Sequence, residues 1–179
     1  MNNQTFSLQL FPSTESLPNL KILGNISRNG NQLAIHYMLE GDLKEVAIAQ
    51  PSNTPSRKYE LWKDTCFEFF LGIKYSQQYW EFNLSPGGHW NVYRLDGYRQ
   101  GMQEETAFEN LPFNVQNKSD SLALALNVDL DKIISMEQAI EVAITTVIKD
   151  RDGKVTYWAL THQGTEADFH LRDSFIIKL

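Results

Sequence analysis

Residues 79–90 read YWEFNLSPGGHW. Trp80, Phe82 and Leu84 are apolar, and Glu81, Asn83 and Ser85 between them are polar. Successive strand residues point to opposite faces, so this period of two reads as a strand with one apolar and one polar side. Pro86 and two glycines then mark a turn. Just upstream, residues 64–72 read DTCFEFFLG, with Phe67, Phe69 and Leu71 on one face and Cys66, Glu68 and Phe70 on the other. If the two strands pair, Glu68 lies near Glu81 or Asn83.

The same period extends outward. Residues 33–39 (LAIHYML), 122–128 (LALALNV) and 140–148 (IEVAITTVI) alternate in the same way. Asn29-Gly30 and Asp152-Gly153 fall between such runs and suit tight hairpins, because both dipeptides tolerate positive φ. Residues 129–139 (DLDKIISMEQA) are expected to form a short helix, and residues 97–110 a loop or helical turn. Residues 50–60 form a polar connection carrying Pro51 and Pro55. There is no internal repeat. Many short strands and few helices predict an all-β chain: an antiparallel two-sheet β-sandwich or jelly roll, residues 1–179 forming one domain, with short helical segments.

Composition narrows the function. A chain of 179 residues buries roughly 70% of its unfolded surface and needs no cross-links to hold a core. Its formal net charge of -6 argues against nucleic acid, whose phosphates require a basic footprint. No run approaches the roughly 18 apolar residues of a membrane span. The N-terminal stretch has no basic region ahead of an apolar run, so no secretory signal is expected. Cys66 has no second cysteine to pair with, which favours a reducing, cytoplasmic setting.

The polar face carries the candidate site. A carboxylate in a strand as apolar as CFEFFL costs several kcal/mol if unpaired. Arg94 is the expected partner of Glu68, since a guanidinium grips a carboxylate in bidentate fashion. Residues 89–99 (HWNVYRLDGYR) add Trp90, Tyr98 and Arg99. Glu68, Glu81, Asn83, Trp90, Arg94 and Tyr98 form the expected ligand-binding set, with polar groups fixing orientation and rings supplying contact for a polyhydroxylated or planar ligand. The plainer alternatives are a solvated face or a structural ion-pair network. His162, Asp168 and His170 have the chemistry of a zinc or iron site, but loops near strand ends commonly use Asp and His to satisfy turn backbone. Ser85 has no evident base and orienter, and SPGGH lacks the Lys-Ser/Thr of a phosphate loop. No cofactor is expected.

LWKDTCFEFFLG, YWEFNLSPGGHWNVYRLDGYRQGM and WALTHQGTEADFHLRDSFIIKL together resemble the DOMON-like proteins related to carbohydrate-binding module family nine. The resemblance runs from about Gly41 onward. It implies a jelly-roll sandwich that binds sugar or haem without catalysis. Sugar-binding relatives clamp a saccharide between two tryptophans beside polar groups, for which Trp62, Trp80, Trp90 and Trp158 are available. Haem-binding relatives use Met and His ligands, which makes Met38, Met102, His36, His89 and His162 the candidates. The first expectation is a non-catalytic domain for a carbohydrate-like small molecule. A haem-binding redox module and a metal-dependent enzyme using His162, Asp168 and His170 are the alternatives.

Overall fold

A computed structural model describes residues 2–12 and 19–179. The N-terminal stretch read above for a secretory signal falls partly outside them. In chain order the strands are β1 (Asn2–Ser7), β2 (Gln9–Leu10), β3 (Leu20–Asn29), β4 (Gln32–Gly41), β5 (Cys66–Ile73), β6 (Tyr79–Leu84) and β7 (Trp90–Leu95). They continue as β8 (Gln103–Glu104), β9 (Phe113–Asn117), β10 (Ser121–Asp129), β11 (Ile140–Lys149), β12 (Val155–Ala159) and β13 (Ile177–Lys178). One sheet has the order β1-β3-β4-β10-β9 and the other β2-β12-β11-β5-β6-β7-β8, with β13 also on β11. Pairing between the named strands is antiparallel throughout. The architecture is an all-β, two-sheet antiparallel sandwich.

The alternating runs supply the core between the sheets. Leu33, Ile35, Tyr37 and Leu39 of β4 and Leu122, Leu124 and Leu126 of β10 face Phe67, Phe69, Phe82 and Leu84 of the opposite sheet. Phe69 and Phe82 stack at 4.4 Å between centroids. The Tyr37 hydroxyl donates to the Glu68 carbonyl at 2.7 Å and so joins the sheets. The β3–β4 hairpin turns at Gly30 and Asn31, one residue later than the Asn-Gly dipeptide suggests, because Asn29 pairs with Gln32. Gly30 takes a φ of 60° there.

Among the described residues, helix is confined to three 3-10 turns: Leu43–Glu45, Leu61–Lys63 and Arg172–Ser174. The helix expected over residues 129–139 does not form; the segment is a series of turns. Side chains capture its backbone. Asp129 Oδ1 accepts from the Asp131 N–H, Gln138 Oε1 accepts from the Ser135 N–H, and Arg28 and Asn31 donate to the carbonyls of Gln138 and Ile134. Such bonds compete with the helical ladder. Among the described residues, no helix is long and apolar enough to cross a membrane.

One topological detail positions the site. β12 pairs with residues 145–149 of β11, and β13 pairs with residues 141–142 on the same flank. The chain between them, residues 160–176, leaves the sheet and folds over its outer face as a strap.

Candidate functional site

The face of β5 and β6 turned away from the core is buried as well. Glu68 is 1% exposed, Glu81 4% and Asn83 0%, so the solvated-face reading does not hold. Strand register arranges the side chains in rows. Thr145, Glu68, Asn83 and Asn91 lie opposite one another across β11, β5, β6 and β7, and Ala143, Phe70, Glu81 and Tyr93 form the next row. Glu68 and Glu81 are therefore diagonal neighbours on one face, as alternation predicts.

Three segments cover this face. The 3-10 turn Leu61–Lys63 brings Trp62, whose ring meets Tyr93 edge-on at 5.6 Å. The turn after β7 brings Arg99 and Met102. The strap brings Phe169 and His170; Phe169 packs on Tyr157 of β12, and His170 on Phe70. Together they enclose a cavity of about 350 Å³ with Glu68 and Glu81 at its floor and Trp62, Arg99, Phe169 and His170 among its walls. That volume lies at the small end of the range for small-molecule pockets, roughly 300–1,000 Å³.

The floor is short of donors. Thr145 Oγ1 donates to Glu68 Oε2 at 3.3 Å, and Asn83 Nδ2 donates to Glu81 Oε1 at 3.0 Å. Glu68 Oε1, Glu81 Oε2 and Asn83 Oδ1 have no hydrogen-bond partner among the described residues. Burial, reinforced by Glu81, holds the Glu68 carboxyl well above the usual carboxylate range. Burial pushes Glu81 up to about 7, against the opposing pull of Asn83 and Arg99.

The walls are tied by a polar relay. Asp168 accepts from the Tyr98 hydroxyl at 2.5 Å, from Arg99 Nη2 at 2.9 Å and from the His170 backbone N–H at 2.9 Å. The Tyr79 oxygen accepts from the Arg99 backbone N–H at 3.3 Å and lies 2.8 Å from His170 Nδ1. Burial raises Tyr79 to about 12, so it keeps its proton and donates to Nδ1. Burial, then Arg99, lowers His170 to about 4, with Asp168 opposing. The imidazole is thus neutral with hydrogen on Nε2, which points toward Glu81 Oε2 at 3.9 Å. That distance is beyond hydrogen-bond length, and the contact is not an ion pair.

Among the described residues, two of the three non-glycine residues with positive φ lie beside this pocket: Glu60 (57°), two residues before Trp62, and Arg99 (53°). Backbone held in that region tends to cluster at ligand sites.

The structure brings Glu68, Glu81 and Asn83 together and places Tyr98 behind the Arg99 wall, bound to Asp168. Trp90 and Arg94 lie on the opposite face of the sheet. Trp90 is buried in the inter-sheet core, with the Arg57 guanidinium 4.4 Å from its ring centroid. Arg94 stands opposite Trp80 and does not pair with Glu68; its Nε has no partner. The reason is phase: Leu84 pairs with Trp90, so the outer-facing residues of β7 are Asn91 and Tyr93. Of the four tryptophans, Trp80, Trp90 and Trp158 belong to the core and Trp62 alone lines the pocket, so no pair of tryptophans is available as a clamp there.

His162, Asp168 and His170 do not assemble. His162 Nε2 is bound to the Gln9 carbonyl at 2.8 Å, beside β2, while the other two belong to the relay. Among the described residues, no three His, Cys, Asp or Glu side chains are grouped to hold a metal ion. Of the residues expected as haem ligands, Met102 lines the cavity, whereas Met38, His36, His89 and His162 do not. Trp62, Arg99, Phe169 and His170 come from irregular segments, where sequence has no period to read.

No protein-family model and no curated protein matches the chain. Solved structures do. A protein from Bacteroides uniformis ATCC 8492, for which carbohydrate binding is a suggested role, superposes with a TM-score of 0.73 at 13% identity, covering 97% of this chain and 84% of that one. A carbohydrate-binding module family 9 from Caldicellulosiruptor kristjanssonii in complex with cellotriose gives 0.54 at 9% identity, covering 90% and 74%. Its counterpart in complex with glucose gives 0.53 at 10% identity, covering 91% and 77%. The chain is a β-sandwich like that of carbohydrate-binding module family nine, and the structures it resembles are binding modules or of suggested binding role.

Proposed function

We propose that the chain is a non-catalytic binding domain for a small carbohydrate-like ligand, held in the cavity between Trp62 and the strap. The observation that carries this reading is the floor of the pocket. Each unpaired buried polar atom costs about 1–3 kcal/mol, and here Glu68 Oε1, Glu81 Oε2 and Asn83 Oδ1 stand together in that condition. Ligand hydroxyls are donors of the right kind to relieve it. Trp62, Phe169 and Tyr157 offer ring faces and edges for the apolar side of a sugar, and the Asp168 relay fixes the Arg99 and His170 wall. The module folds with which this chain superposes bind glucose and cellotriose, which supports a saccharide as the ligand class.

Isothermal titration with glucose, cellobiose and cellotriose tests the reading. Binding that is lost on Asn83→Ala and Trp62→Ala is expected. A purified, folded protein that binds none of these sugars, nor other neutral mono- and disaccharides, at millimolar concentration would overturn it.

A further inference from the structure

Three oxygens on this buried face have no donor: Glu68 Oε1 and Glu81 Oε2 at the pocket floor, and Asn83 Oδ1 buried beside them. Glu68, Glu81 and Asn83 cannot satisfy one another as two carboxylates and a carbonyl, because none of the three atoms carries hydrogen. The groups packed around them are already committed. On β5 the Cys66 thiol, a weak donor, lies between the Phe67 carbonyl and the Glu68 carboxyl, and on β11 the Thr145 hydroxyl is given to Glu68 Oε2. On β6 the Tyr79 hydroxyl goes to His170. On β7 the Asn91 amide donates to Lys58, Tyr93 and Glu104. From the strap, His170 is neutral and stops 3.9 Å short of Glu81. The Arg99 guanidinium is bound to Asp168, and Arg94 is on the far side of the sheet. Two carboxylates side by side with no cation in contact are strongly unfavourable away from water, and one resolves the conflict by keeping its proton.

We propose that Glu68 and Glu81 hold one proton between them just above neutral pH, carried by Glu68, and that the pocket therefore selects uncharged hydroxylated ligands over their carboxylated counterparts. Glu68 is the member that keeps it. It lies between Cys66 and Phe70 and is the more deeply buried, whereas Glu81 has the Asn83 amide to support a negative charge. The floor then offers a donor at Glu68 and an acceptor at Glu81. A hydroxyl group, which both gives and takes a hydrogen bond, matches that pair. A ligand carboxylate instead meets the Glu81 charge in a site that screens it poorly. The ligand half of this inference rests on the saccharide reading; the proton half does not.

Infrared spectroscopy and thermal melting test the proton directly. A protonated-carboxyl band is expected in the wild type at about pH 8.5, where Glu81 has lost its proton, and is expected to vanish there in Glu68→Gln, whose amide imitates the neutral acid. Between about pH 5 and pH 9 the wild-type melting temperature is expected to fall, and that of Glu68→Gln to fall less. A band that survives Glu68→Gln, or a melting profile as steep in the variant as in the wild type, overturns the proposal. Should Glu68→Gln fail to fold, the wild type decides alone: the band's absence at about pH 8.5 overturns it. Titration of the wild type with glucose and with glucuronate tests the ligand half. Glucuronate is expected to bind about tenfold more weakly or worse, and equal affinities overturn that half. If neither sugar binds while the band is present, the saccharide reading falls and the shared proton stands.

Discussion

The Tyr79 hydroxyl lies 2.8 Å from Nδ1 of His170, joining the middle of the outer sheet face to the strap that covers it. This bond fixes the imidazole tautomer, and burial keeps the ring neutral down to about pH 4. A histidine held below its ordinary 6.5 contributes stability that is full above that value and is lost as pH falls through about 4. Glu68 and Glu81 have the opposite sign. Their folded-state values lie above the ordinary 4.5, so their contribution is full below 4.5 and is lost as pH rises, through about 7 for Glu81 and higher for Glu68. Between pH 4.5 and 6.5 two carboxyls therefore oppose one imidazole. The wild-type melting temperature is expected to rise as pH falls across this window, and about twice as steeply in His170→Asn. Melts of both proteins check this; equal slopes would remove His170 from the account.

Trp90, expected from sequence in the ligand-binding set, belongs to the core, whereas Trp62 lines the pocket. Trp90→Ala opens a void in the inter-sheet core and should cost about 3–5 kcal/mol, read by denaturant unfolding. Trp62→Ala removes a pocket wall and should weaken sugar binding at least about tenfold with a smaller loss of stability. A Trp90→Ala protein that melts like the wild type would contradict the placement of its ring.

Asn83→Ala is expected to act on both properties. The residue is fully buried and its amide is the partner of Glu81 Oε1. Its loss strands a second oxygen of that carboxyl, at about 1–3 kcal/mol, and frees the Glu81 side chain that forms part of the pocket floor. Unfolding and titration should both change. A binding loss with an unchanged melting temperature would place Asn83 nearer solvent than its burial implies.

Arg99 tests the strained turn. Its φ of 53° is comfortable for glycine and costs other residues roughly 1–2 kcal/mol. The ion pair with Asp168 is half exposed on the arginine side and is worth at most about 1 kcal/mol. Arg99→Gly should therefore melt above Arg99→Ala, while both lose the anchor of the strap and bind sugar more weakly. The reverse order of melting temperatures would mean that the turn relaxes when the ion pair is gone.

The strands and the acidic floor were legible because a period of two survives in β5 and β6 almost without exception. Glu68, Glu81 and Asn83 are on one face for the same reason that Phe69 and Phe82 are on the other. The next strand was misread because β7 mixes polar and apolar residues on both sides: Trp90, Val92 and Arg94 alternate with Asn91, Tyr93 and Leu95, and neither phase is marked as the core. Only the length of the turn at residues 85–89 sets that phase, and a shift of one residue exchanges the faces. Trp62, Phe169 and His170 owe their positions to contacts made across long stretches of chain, which local pattern does not encode. Residues 129–139 show a further limit, since helical spacing there was overridden by Asp129, Gln138 and Arg28 side chains.

The strap starts and finishes on one flank of β11, where β12 ends and β13 begins. Its two ends are therefore fixed by a ladder that its own sequence does not help to build. Lengthening such a closed loop adds only about 0.6 kcal/mol per doubling. A grafted strap of different length and composition should leave the sandwich intact and re-form one wall of the cavity. The half of the pocket that folds the protein and the half that can be traded for another specificity are, in this chain, physically separable parts.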